Sequence, residues 1–454
     1  MYSKIQFITG GIYNLKRTNG LHLYININNF NDILEAEEKE IGKPLHSIHA
    51  LDSFFSSVEL FAKRTSKDCT IEKITGARLH IFIEGTIEDT YSSAKKIVYY
   101  AKKISSILLD QVAKYKSLVR FKIHAGMDYG KFHIFQFIDH QYSEITSIGY
   151  SANYAAKLQH LTDSNHMSIS DNIYDYLPDF EKTTFKKIFS SSITKYEKSY
   201  YYTCPLLSLQ ETENTNTYVN YALEYANRVN LNEINFSSAN QPVNFDSLSK
   251  KECKKLEGIP LFADVRGFTS KFNEDDSNLE EMSIKTQNIL KTMYETVKKH
   301  NGIHIQFQGD REFALFHNYK DHTCYIEAVL TGLKIIDGVK SDGVCVGVGQ
   351  NFGNLFASKI GARNEKDYIL LGRAVNIADK FEDKYACENQ LVISNIIYQN
   401  IKELNPNLAN LFTRKDDYYF TTLGYKHYLD QIQLRDLEKN THQKSYNGAY
   451  KNDQ

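Results

Sequence analysis

Tryptophan is absent, proline occurs only six times, and the six cysteines (69, 204, 253, 324, 345 and 387) contain no CxxC pair. Without paired cysteines neither a zinc ribbon nor a disulfide framework is indicated, which leaves core or surface thiols in a reducing compartment. No stretch approaches eighteen consecutive apolar residues, and no charged-then-apolar leader opens the chain, so neither a membrane span nor secretion is expected. Excess charge of either sign is also missing. A formal net charge of −1 removes the electrostatic case for nucleic acid or an anionic membrane as the main partner. What remains is a cytoplasmic globular protein, and 454 residues are too many for one ordinary core, so two to three domains are expected.

Two short stretches carry the chemistry. In Leu261-Phe262-Ala263-Asp264-Val265-Arg266-Gly267-Phe268-Thr269-Ser270 a buried strand ends in a carboxylate, followed by a glycine, an aromatic and hydroxyl residues. Further on, strands over Ile303–Gln308 and Glu312–Phe316 flank Gly309-Asp310, a pair suited to a hairpin tip because glycine supplies positive φ and aspartate tolerates it. Taken singly, Asp264 caps a helix and Asp310 makes a turn. Taken together, they are two oxygen ligands facing one site, as a pair of Mg²⁺ or Mn²⁺ ions needs when phosphates supply the remaining ligands. The backbone N–H groups of Val265–Thr269 then form an anion-binding nest for a triphosphate.

The arrangement resembles the metal half of the class III nucleotidyl cyclases, the adenylate and guanylate cyclase family. That family carries a strand of the form F-x-D-[IV]-x-G-F-[ST] and a K-x-x-G-D hairpin, which Phe262–Thr269 and Gly309-Asp310 match. A third motif, Y-x-x-x-G-x-x-V-N-x-A, is met at Tyr368–Ala378. The fold implied is α+β, of the ferredoxin-like βαββαβ type.

The first half repeats the order: an alternating strand from Leu21, a helix over Ala50–Lys63, two strands about Gly76, a helix over Thr90–Tyr115, a strand Val119–Ala125, then Gly149-Tyr150-Ser151-Ala152-Asn153-Tyr154-Ala155. Asn26 pairs with Asp264, Gly76 with Gly309 and Asn153 with Asn376, at offsets of 238, 233 and 223 residues. A tandem duplication is therefore expected, with residues 1–208 a degenerate cyclase domain, 209–254 a linker holding a helix at Val219–Val229, 255–437 the metal-binding domain and 438–454 a polar tail. The halves are unequal. Asn26 and Ala77 stand where the second repeat has Asp264 and Asp310, and an amide and a methyl do not replace two anionic oxygens.

The resemblance implies a division of labour in an intramolecular pseudo-dimer, the two repeats pairing with each other. Asp264, Val265 and Asp310 become the metal residues for two Mg²⁺ or Mn²⁺ ions, and Gly267, Phe268 and Thr269 contact the substrate. From the first repeat come Asn153 for the ribose, Lys157 where the family has arginine, and Lys195 or Lys198 for the triphosphate. Purine cyclases read the base at the positions of Lys73 and Thr146, with lysine and aspartate for adenine or glutamate and cysteine for guanine. Lys73 with Thr146 matches neither, and the second repeat has Gln306 and Ile369 there. A carboxylate-free pair suits a pyrimidine, with Arg78 extending into the space a smaller base leaves. The implied function is that of the pyrimidine cyclases of bacterial antiphage defence (Pycsar): CTP, with UTP next, converted to a cyclic nucleotide that a separate effector reads.

Overall fold

The computed structural model describes residues 14–108, 120–139, 142–210, 215–228, 234–239, 243–245, 247–249, 251–267, 279–317, 323–361 and 368–433. The expected tail at 438–454 lies outside them, as do Phe268 and Thr269.

The first repeat runs β1 (Asn14–Ile27), α1 (Phe30–Ile41), α2 (Leu45–Thr65), β2 (Cys69–Thr75), β3 (Arg78–Glu84), α3 (Ile87–Ser105), β4 (Ile123–Asp139), β5 (Tyr142–Ile148), a helix Tyr150–Leu161, then β6 (His166–Ile169), β7 (Lys186–Phe189) and β8 (Tyr200–Pro205). Its sheet is ordered β2-β3-β1-β4-β6-β8-β7, with β5 paired to β4. The second repeat runs β9 (Asn235–Ser238), β10 (Glu252–Arg266), a helix Leu279–Lys299, β11 (Ile303–Gln308), β12 (Arg311–His317), a helix Thr323–Lys340, β13 (Cys345–Gln350), β14 (Gly353–Lys359), β15 (Tyr368–Leu371), a helix Arg373–Lys380 passing into a π turn at Phe381–Tyr385, then β16 (Gln390–Ser394), β17 (Thr413–Lys415) and β18 (Tyr418–Thr421). Its order is β11-β12-β10-β13-β16-β18-β17. This seven-strand path repeats that of the first sheet, and the second sheet adds β9 and β14 on β10 and β15 on β14, so the duplication is a property of the topology.

Register repeats as well. Asn26 lies opposite Arg78, and Asp264 opposite Arg311. Both hairpin glycines have positive φ, 57° at Gly76 and 69° at Gly309, which a side chain would strain. The closest correspondence is a helix pressed onto a glycine. A Cβ on Gly126 would lie 2.2 Å from the Gln159 nitrogen and 2.5 Å from the Ala155 oxygen. One on Gly349 would lie 2.4 Å from both the Glu382 nitrogen and the Ala378 oxygen. The same strand–helix contact therefore occurs in both halves.

Local signals explain several elements. The Glu37 carboxylate, buried at the end of α1, accepts from the backbone N–H groups of His46 and Ser47 at 2.8 and 2.7 Å. It thereby satisfies donors left free at the start of α2, where the helix dipole favours an anion. Gly42 closes α1 in the left-handed conformation with its N–H donating to the Glu38 oxygen. Thr86 caps α3 by accepting from the Asp89 N–H. The helix expected over Thr90–Tyr115 is described as Ile87–Ser105, and the strand expected from Leu21 begins at Asn14.

The described residues form two compact units whose limits differ from a simple cut along the chain. One holds the described residues up to Leu256, those of 279–283 and those of Leu355–Arg373; the other holds those of 257–267, Ile284–Asn354 and the chain from Ala374. Residues 355–373, expected within a contiguous second domain, lie in the first unit because Phe356, Ile360, Ile369 and Leu371 are buried in the core that contains Leu23, Phe54 and Ile81. Gly361 N–H also donates to the Asp52 carboxylate at 2.7 Å. The expected linker at 209–254 is not a bare tether either. Its helix Asn216–Arg228 buries Ala222 and Ala226 in the same core, and Tyr100 donates to the Tyr218 carbonyl at 2.8 Å. Apolar residues at helical spacing gave that helix a face to bury.

The helix–glycine contact is testable. Gly126→Ala and Gly349→Ala should each destabilise the chain by about 1–3 kcal/mol or more, because the added methyl meets backbone that cannot rotate away. Thermal unfolding measures this, and an unchanged midpoint for both variants contradicts the packing described.

Candidate active site

In the second repeat Asp264 stands near the end of β10 with its side chain 29% exposed, and Asp310 follows the hairpin glycine, 5% exposed. Strand pairing sets Asp264 opposite Arg311, the residue after Asp310, so both carboxylates come to one end of the sheet. Burial first, and the Asp264 carboxylate next, push the Asp310 carboxyl well above the usual carboxylate range. Two carboxylates in mutual repulsion, one of them buried, are the donor set a divalent cation relieves. Among the described residues no cluster of three or more His, Cys, Asp or Glu side chains forms a metal cage. The set therefore fits ions that take one or two protein carboxylates and complete their shells with phosphate and water.

Around this pair lies a charged network that sequence reasoning missed. Arg266 donates to Asp264 Oδ2 at 3.1 Å and to the carbonyls of Glu382 and Ala386 at 2.7 and 3.0 Å. The Glu382 carboxylate, 2% exposed, lies between Arg266 at 2.7 Å and Arg311 at 2.6 Å. Arg311 reaches Asp379 at 2.7 Å, and its guanidinium carbon sits 4.2 Å from the Phe262 ring centre. Burial raises the Glu382 carboxyl and Arg311 works against it. Glu382 belongs to the π turn, a helix distortion that recurs at functional sites. Gly347 makes the network sterically possible, since a Cβ there would lie 2.0 Å from Arg266 Nη2.

The first repeat holds neutral groups at the same places. The Asn26 amide donates to His124 Nε2 at 2.8 Å, and Gln159 approaches the same nitrogen at 2.9 Å, while His124 Nδ1 donates to the Thr162 carbonyl at 2.7 Å. Burial lowers the His124 pKa, in keeping with a neutral ring that accepts at Nε2. Asn26 is thus engaged within the fold, with no anionic oxygen to offer a cation.

The base-reading candidates come together within the first unit. Lys73 on β2 forms an ion pair with Glu144 on β5 at 2.9 Å, their side chains 7% and 12% exposed. Thr146, fully buried on β5, has its hydroxyl 3.5 Å from Glu72 Oε1. The expectation of a carboxylate-free pair is corrected here: two glutamates accompany Lys73 and Thr146. Glu72 was hidden because alternation assigns adjacent strand residues to opposite faces, whereas a register shift between Ile71 and Lys73 buries Ile71, Glu72, Lys73 and Ile74 in succession. Arg78 lies over the Tyr24 ring at 5.6 Å. In the second repeat a matching shift falls between His304 and Gln306, and Ile369 is part of the first unit's core.

Asn153 is half-buried on the fourth residue of the helix Tyr150–Leu161, whose N-cap is Gly149, so it is not a capping residue. Tyr196 donates to its carbonyl at 3.3 Å. Lys157, one turn on, is also half-buried. Lys198 pairs with Asp171 at 2.6 Å, and the Lys195 side chain lies outside the described residues. In the second repeat Val265 is buried and Gly267 turns at φ 66°.

A βαββαβ sheet with carboxylates at a strand end and an adjacent hairpin tip is the architecture of a class III nucleotidyl cyclase domain. Residues 257–429 match the adenylate and guanylate cyclase catalytic domain. It is 21% identical over 424 residues to a uridylate cyclase from Pseudomonas aeruginosa, a match covering 86% of this chain and 80% of that protein. In fold it is similar to a class III adenylyl cyclase-like ATP-binding protein from Pseudomonas aeruginosa, with a TM-score of 0.70, 16% identity and 94% of each chain covered. Domains of this family generally use two divalent metal ions. Among the described residues no helix is long and apolar enough to cross a membrane.

Unequal repeats lead to unequal effects of substitution. Asp264→Asn and Asp310→Asn should each weaken Mn²⁺ binding in the presence of a nucleoside triphosphate by about tenfold or more, because each removes an anionic ligand. Asn26→Ala should leave it unchanged. Calorimetric titration measures all three, and equal losses at Asn26 and Asp264 would refute the assignment to the second repeat.

Proposed function

We propose that this chain is a pyrimidine nucleotide cyclase that converts CTP to 3′,5′-cyclic CMP and pyrophosphate. The observation that carries it is the asymmetry of the duplication. Asp264 and Asp310 form an acidic centre in one repeat, whereas the other has Asn26 and Ala77 there and keeps Lys73, Thr146, Asn153 and Lys157. Such unequal halves suit one catalytic site per chain, with metal ligands from the second repeat and base and ribose contacts from the first.

In the reaction the ribose 3′-oxygen attacks the α-phosphorus, its proton leaves, and the bond to the pyrophosphate oxygen breaks. Two Mg²⁺ or Mn²⁺ ions held by Asp264, the main chain of Val265 and Asp310 would lower the pKa of the hydroxyl and neutralise the leaving phosphates. Asn153 orients the ribose, an effect of position rather than of charge. Lys157 offers a cation to the α-phosphate, without the two-pronged geometry of arginine. Gly267, in the left-handed conformation beside the acidic strand, would offer its backbone N–H to the triphosphate.

At the base, Glu144 accepts from the cytosine amino group and Lys73 donates to its ring nitrogen and O2, with Thr146, whose hydroxyl faces Glu72, beside them on β5. UTP is the second reading, favoured by the likeness to a uridylate cyclase. Uracil offers an N–H to the same carboxylate and carbonyls to the same donors. The cyclic product would act as a messenger in antiphage defence, read by a separate effector.

Incubating the full chain with an equimolar mixture of four labelled NTPs and Mn²⁺ tests the reading. CTP should be consumed ahead of ATP and GTP by about tenfold or more, the discrimination that one mismatched buried polar group provides. UTP consumed first selects the second reading. A preference for ATP or GTP excludes a pyrimidine cyclase, and no cyclic product from any NTP excludes a cyclase.

A further inference from the structure

Lys73 and Thr146 belong to strands that share no backbone ladder. Among the described residues β2 pairs with β3 and β5 pairs with β4. The sheet links them only through β3, β1 and β4, so any direct link between the two strands is made by side chains. Glu72 spans the gap. One oxygen, Oε1, accepts the Ser147 backbone N–H at 3.0 Å and faces the Thr146 hydroxyl at 3.5 Å. The other accepts the Ser147 hydroxyl in a short hydrogen bond and faces His80 Nδ1 at 3.3 Å.

Behind the carboxylate the structure is closed. His80 Nε2 lies 3.0 Å from His22 Nδ1, Tyr24 stacks on His80 at 4.0 Å and 9°, and the Phe132 ring lies edge-on to His22 at 4.3 Å. Burial alone would raise the Glu72 carboxyl, but His80, Lys73 and the Ser147 hydroxyl overcome it and bring the carboxyl down to about 2. Glu72 is therefore an anion at neutral pH with both oxygens engaged inside the protein. It is a tie between strands rather than a group that contacts a base. The second repeat has the same register shift with Ile305 at the matching place, so no equivalent tie exists there.

We infer that Glu72 is a positioning residue that sets nucleobase selectivity by holding β5 against β2, so that Thr146 and Glu144 face the base at a fixed distance from Lys73. This rests on the reading of Lys73 and Thr146 as the base contacts. Glu72→Gln keeps the volume but turns one acceptor into a donor that opposes Ser147. Selectivity should then fall through binding rather than through the chemical step.

The test uses the full chain with the four NTPs and Mn²⁺, measuring equilibrium binding of each NTP beside its turnover. Glu72→Gln should compress the ratio between the best and worst NTP by about tenfold, by raising KM and Kd for the best while its kcat stays within about twofold. Ser147→Ala, which keeps the backbone N–H, should give a smaller shift in the same sense, and it carries the test should Glu72→Gln fail to fold. A merely structural role would lower turnover of all four NTPs in proportion and leave the ratio unchanged. That result overturns the inference. Lys73→Ala and Thr146→Ala separate the two levels. If these move the ratio and Glu72→Gln and Ser147→Ala do not, the tie is wrong while the base contacts stand. If neither moves it, the base contacts themselves are wrong and the inference falls with them. If binding selectivity depends on Glu72 in a chain that turns over no NTP, the inference stands and the cyclase assignment falls.

Discussion

The polar groups gathered at one end of each sheet depend on how closely one helix lies on one glycine. At Gly126 and again at Gly349 the helix backbone comes so near that only a hydrogen fits on the strand. The contact brings Gln159 to His124, the partner of Asn26, in one repeat, and Glu382 to Arg266, the partner of Asp264, in the other. A single steric constraint thus delivers equivalent positions to two sites, and the side chains at those positions decide what each becomes.

The outcomes follow from the cost of burying charge. With Asn26, His124 and Gln159 the first repeat closes a neutral hydrogen-bonded chain, which needs no counterion. With Asp264, Asp310 and Glu382 the second repeat gathers carboxylates that are destabilising unless compensated. Arg266 and Arg311 supply the compensation, and Gly347 leaves the room for one of them. Two arginines against the carboxylates of Asp264, Asp310, Asp379 and Glu382 compensate the acidic centre only in part.

On the other face of the chemistry, the first repeat has kept and elaborated what the second lacks. Lys73 with Glu144, and Glu72 with Ser147, join β2 to β5, two strands with no ladder directly between them. Of the two carboxylates, Glu72 is engaged within the fold, and Glu144 is the one that would add an acceptor to the proposed base contacts. Lysine beside an acceptor presents both hydrogen-bonding senses, so polarity alone does not separate cytosine from uracil, and geometry must.

Much of this was legible in the amino-acid sequence. The acidic strand and the Gly309-Asp310 hairpin are local features, and local chemistry, positive φ at a glycine and a carboxylate at a strand end, identifies them. The duplication was legible because its anchors keep their order and drift by only loop-sized amounts, and from it came the loss of ligands at Asn26 and Ala77. The tertiary structure decided the rest. Glu72 was hidden behind Lys73, since a register shift breaks the alternation by which strand faces are assigned. Glu382, Arg311 and Asp379 meet only because a helix far along the chain packs onto β13. Residues 355–373 joined the first unit because four apolar side chains found their burial there. Pattern along the chain determines what each segment can be; which segments share a buried space depends on packing between residues that no local pattern connects.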